Sequence, residues 1–92
     1  MDIEELEKYV CESLKRERER LGMSQLALSY ESEVSQNMIT YIETGKRTPS
    51  LHTILKLCDA MNISPAILFP QDISVSKEQA KKLIIELVDK YM

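Results

Sequence analysis

The sequence predicts an all-α protein. Three observations carry this: apolar residues recur at intervals of three and four and not two, Ser and Asp stand where helix N-caps belong, and only two Gly and three Pro interrupt 92 residues. The expected architecture is a compact five-helix domain with an extended first helix, plus an additional amphipathic helix at the C-terminus. Residues 1–69 make the domain, 70–75 a connector and 76–92 the last helix.

Asp2 with Glu5 fits a capping box, and Ile3, Leu6, Val10, Leu14 and Leu21 follow as one apolar stripe until Gly22 supplies the stop. Ser24 caps a short helix from about Gln25 to Ser32, and Ser35 caps another from about Gln36 to Thr44, closed by Gly45. Only Glu33 and Val34 separate the two. Pro49 and Ser50 open a helix over Leu51–Met61 with Leu51, Ile54, Leu55, Leu57, Cys58 and Met61 as its apolar face, and Asn62 ends it. Ser64 and Pro65 start a short turn of helix through Leu68, stopped by Phe69-Pro70. Ser76 with Gln79 caps the final helix, in which Ala80, Leu83, Ile84, Leu87, Val88 and Tyr91 share one face.

Composition removes several function classes. A chain this short buries only about two-thirds of its unfolded surface, enough for one core and too little for two domains flanking a catalytic cleft. No apolar run approaches the roughly 18 residues of a membrane span, and the leading MDIEELEK is acidic where a secretory signal is basic, so a cytoplasmic location is expected. Cys11 and Cys58 are isolated and His52 is the single histidine, a set that indicates neither a metal site nor a disulfide framework. With no nucleophile motif and no phosphate-cradling glycine loop, neither an enzyme nor a cofactor is expected.

Two short helices joined by a tight turn suit insertion of the second into the DNA major groove. Ile39 and Ile42 point inward, which leaves Gln36, Asn37, Thr40, Tyr41 and Thr44 on the other side. Amides matter there because adenine presents an acceptor and a donor together, and a Gln or Asn head matches both. Pattern alone also fits a solvated helix face. From Leu14 to Phe69, however, the ordered series Gly22-Met23-Ser24-Gln25, Leu28, Val34-Ser35, Ile39, Ile42-Glu43, Gly45-Lys46-Arg47 and Pro49-Ser50-Leu51 resembles the xenobiotic-response-element family of helix-turn-helix proteins, the Cro and CI phage-repressor type.

The resemblance implies a lambda-repressor-like fold and binding to double-stranded DNA. It places Gln36, Asn37 and Thr40 at the bases with Tyr41 beside them, and Gln25, Thr44, Lys46 and Arg47 at phosphates. It also pairs Arg18 with Glu43 as a structural ion pair. Two positions depart from the family pattern: Glu33 stands where the turn usually has Gly, and Ser29 where Ala is usual. A left-handed Glu33 costs roughly 1 kcal/mol, so the turn is either mildly strained or differently shaped.

Charge is distributed unevenly. Residues 1–13 carry −4, residues 14–50 carry +1 and residues 51–92 are neutral. A nearly neutral reading head binds non-specifically only weakly, so stable binding calls for specific contacts and two subunits. The C-terminal stripe, with Leu83, Ile84, Leu87, Val88 and Tyr91, is the candidate dimerisation element; packing on Ile3, Leu6 and Val10 of its own chain is the alternative. The expected function is a homodimeric regulator that represses by blocking polymerase at a palindromic operator. The competing readings are an antitoxin-like or adaptor module that binds a protein through the C-terminal helix, and a restriction-modification controller.

Overall fold

Why the chain folds where it does is visible at the helix starts. Asp2, Ser24, Ser35 and Ser50 each have extended backbone, and the side chain of each accepts a hydrogen bond from the amide three residues on, at 2.8 to 3.1 Å. The computed structural model describes residues 1–71, and among them are four α-helices, a 3-10 turn and no strand. These are α1 (Ile3–Arg20), α2 (Gln25–Ser32), α3 (Gln36–Glu43) and α4 (Leu51–Met61), with the 3-10 turn at Pro65–Leu68. The fifth helix expected from the sequence is this single 3-10 turn, because Pro65 and Pro70 leave room for no more. The C-terminal helix expected over 76–92 lies outside the described residues.

One core draws on every element. Leu14 of α1, Leu28 of α2, Ile39 and Ile42 of α3, Leu57, Cys58 and Met61 of α4 and Leu68 of the turn are all buried. Each such aliphatic side chain contributes roughly 1.5–3 kcal/mol on transfer from water. α2 packs on both α3 and α4, α1 lies against α3 and α4, and the 3-10 turn closes the other side against α1 and α4.

Four residues expected to point inward do not. Leu51 and Leu55 of α4 are 70% and 45% exposed, since six apolar positions in 11 residues are too many for one helical face and only Leu57, Cys58 and Met61, with Ile54 beside them, reach the core. Leu21 sits past the end of α1, where Gly22 at φ +70° turns the chain and Met23 packs instead. Ile3 is 78% exposed because the first turns of α1 face an open groove.

The turn between α2 and α3 resolves the question at Glu33. Its backbone is left-handed, at φ 60° and ψ 23°, so the geometry usual for Gly is kept by a residue that bears a Cβ. Buried Ser32 supports it by accepting from the Val34 amide at 3.1 Å.

Candidate nucleic-acid interface

The exposed side of α3 presents the expected residues together. Gln36, Asn37, Tyr41 and Thr44 are exposed, Thr40 is half-buried, and Ile39 and Ile42 anchor the opposite side at 1% exposure each. An eight-residue helix has little stability of its own, so its orientation comes from what holds it.

The holding device is a chain of hydrogen bonds through four side chains. Arg18 of α1 grips the Glu43 carboxylate with a two-pronged fork, Nε to Oε2 at 2.7 Å and Nη2 to Oε1 at 2.9 Å, and its Nη1 donates to the Met23 carbonyl at 2.7 Å. Both side chains are nearly enclosed, at 11% and 4% exposure. The hydrogen bond to Glu43, joined by its charge, raises the Arg18 pKa above its ordinary value despite opposing desolvation. Gln25, first residue of α2, donates from Nε2 to Glu43 Oε1 at 3.0 Å and accepts from the Thr40 hydroxyl at 3.0 Å. The ion pair expected between Arg18 and Glu43 is therefore present and is extended across α2 to α3.

This arrangement limits what each group offers a ligand. One of the two amide N–H groups of Gln25 is fixed inward on Glu43, which leaves the other to donate elsewhere. The Thr40 hydroxyl hydrogen is shared between Gln25 Oε1 and the Gln36 carbonyl, the latter also at 3.0 Å. Thr40 thus offers any ligand its methyl group and oxygen lone pairs, not a donor. Sequence reasoning missed this network because Gln25 and Glu43 are 18 residues apart and no local pattern joins them.

After α3 the backbone curls back. Gly45 adopts φ +75°, and the Lys46 and Arg47 amides both donate to the Tyr41 carbonyl, at 2.8 and 3.2 Å. The Arg47 guanidinium lies over the Tyr41 ring, 5.7 Å from its centre, a cation–π contact that brings these two expected site residues together. Lys46 and Arg47 stay exposed beside Thr44, whose hydroxyl donates back to the Thr40 carbonyl at 2.7 Å. The five residues assigned to dimerisation from the sequence, Leu83, Ile84, Leu87, Val88 and Tyr91, lie outside the described residues.

The helix-turn-helix family model matches residues 14–68. The chain belongs to the helix-turn-helix family. That span covers α2, the left-handed turn and α3, and it includes Arg18, Gln25 and Glu43. Among solved structures, this helix-turn-helix protein is similar to the restriction-modification controller protein C.AhdI from Aeromonas hydrophila. The two are 35% identical with a TM-score of 0.65, over 71% of this chain and 97% of that one. No curated protein matches the sequence significantly. With this family and this surface, the chain is a DNA-binding transcriptional regulator.

Proposed function

We propose that the chain is a sequence-specific repressor that binds a palindromic operator in the cytoplasm as a homodimer. The observation that carries this is the fixed pose of α3. The bonds from Arg18 and Gln25 to Glu43, and from Thr40 to Gln25, set its angle, and its first turn is left exposed with two amides. Gln36 and Asn37 read base edges by paired hydrogen bonds, Thr40 contributes its methyl, and Tyr41 lies alongside. Thr44, Lys46, Arg47 and the free N–H of Gln25 contact phosphates, which fix register and carry no sequence information. Twofold symmetry in the protein matches two half-sites about 34 Å apart, with the C-terminal stripe from Leu83 to Tyr91 joining the copies.

Salt dependence tests this reading. Lys46 and Arg47 from two subunits neutralise about four phosphates, which gives a log–log slope of affinity against salt of about −3.5, whereas a protein partner held on an apolar face gives a slope near zero. The steep slope is expected, and a flat one transfers the protein to the adaptor class. Control of restriction-modification genes is a second reading, favoured by the similarity to C.AhdI. Footprinting upstream of its own gene and of any adjacent methyltransferase or nuclease gene separates it from phage-type repression.

A further inference from the structure

The start of α1 and the end of the described chain enclose an apolar groove of about 240 Å³. Its walls are Ile3, Leu6, Glu7 and Val10 from α1, Thr48 and Pro49 from the loop before α4, Ile54 of α4, and Phe69 from beyond the 3-10 turn. Small-molecule sites run from about 300 Å³ upward and carry several convergent polar groups, so this groove is sized for side chains. Ile3 at 78% and Phe69 at 43% exposure make it an unfilled apolar surface, continuous with the α1 stripe that is buried at Val10 and Leu14.

We propose that this groove seats the C-terminal segment, residues 76–92, of a second copy of the same chain. The proposal rests on the homodimer reading and names the surface that the dimer uses. Three features select this occupant. First, the segment carries the complementary stripe, with Leu83, Ile84, Leu87 and Val88 at helical spacing. Second, the charges complement: Lys77, Lys81 and Lys82 lie at the start of the segment, while Glu7 stands on the groove wall in the acidic first turns of α1. Third, the chain leaves the domain at the groove itself. Phe69 is in the wall, and the Gln71 side chain is tied back to the carbonyls of Ala66 and Phe69 at 2.7 and 2.9 Å.

Only residues 72–75 then remain before Ser76, a reach of at most about 14 Å. The segment therefore starts at the groove, and the homodimer reading assigns it to the groove of the other copy, a reciprocal twofold exchange that closes after two subunits. More than a quarter of this chain lies outside the match to C.AhdI, which is itself covered over 97% of its length. The domain seen in that relative is thus complete without a counterpart for all of this chain.

The test uses the full chain carrying Ile3→Cys with Leu87→Cys, treated with a short bis-maleimide at micromolar concentration. Native Cys11 and Cys58 are buried and do not compete. A covalent dimer mapped by peptide mass to residues 3 and 87 is expected, well above the background given by Ile3→Cys with Leu26→Cys. A link within one chain, or none above background, overturns the proposal. In parallel, Leu6→Glu puts a charge in the groove: sedimentation is expected to show a monomer with helical circular dichroism retained, and a folded dimer overturns the proposal. If the wild-type chain binds its operator as a dimer while the crosslink fails, the groove assignment falls and the regulator reading stands. If no duplex is bound while the crosslink forms, the reverse holds.

Discussion

Arg18 divides its guanidinium between the carboxylate that ends α3 and the carbonyl that precedes α2. Removing it leaves Glu43 nearly enclosed with Gln25 as its remaining partner. Arg18→Ala is expected to destabilise the domain by about 3 kcal/mol in urea unfolding. Replacing both partners together, as Arg18→Met with Glu43→Leu, is expected to recover most of that loss, because neither charge is then stranded. A single-variant loss below about 1 kcal/mol marks the pair as a surface one and contradicts the holding role. The two thiols make a second residue-scale case. Burial raises both, and at Cys11 the neighbouring Glu7 and Glu12 add to it. Ionisation is therefore easier in the unfolded chain, which sheds its thiol protons first as pH rises. Their contribution to stability is intact below the ordinary thiol value of 9.0 and declines above it, a trend that melting curves across that range check. At pH 8 iodoacetamide is expected to modify both cysteines rapidly only after unfolding in urea, and equal rates in the native protein contradict their burial.

At the scale of elements, the turn between α2 and α3 is the clearest place to intervene. Glu33 holds a left-handed backbone that costs a residue with a Cβ roughly 1–2 kcal/mol. Glycine removes that strain and returns about 0.5–1 kcal/mol as extra freedom of the unfolded chain. Glu33→Gly is expected to stabilise the domain by about 0.5–1 kcal/mol, while Glu33→Ala, which keeps the Cβ, gives no comparable gain. Thermal melts that show no gain for glycine contradict the strained turn. The helix starts were legible in the sequence because each depends on one local hydrogen bond, from Asp2, Ser24, Ser35 or Ser50. So were Ile39 and Ile42, whose spacing fixes their side of α3. What was not legible depends on partners distant in sequence. Ile3 follows the stripe of α1 but meets an open groove, Leu51 and Leu55 share a helix with residues that fill the core first, and Gln25 is recruited by Glu43 and Thr40.

At the scale of the whole molecule, the acidic start of α1 adjoins the loop after the reading helix: Glu4 and Glu7 line one pocket with Thr44 and Arg47. The −4 charge of residues 1–13 surrounds the first turns of α1, and the span 14–50, with α2, α3 and the Lys46-Arg47 loop, is at +1. Such a surface gains little from bulk electrostatic attraction, so affinity has to come from matched base contacts made twice. Sequence-specific binding by this protein requires the first turn of α3 to be held outward as a rigid reader of base pairs. Selection of bound duplexes from a random pool, run side by side for the wild-type chain and Gln36→Ala, tests it most directly. A recovered sequence with twofold symmetry is expected, with a loss of preference at one base pair per half-site worth about 1–3 kcal/mol in the variant. An identical recovered sequence for both proteins removes Gln36 from the readout, and no enrichment for the wild-type chain contradicts sequence-specific binding outright.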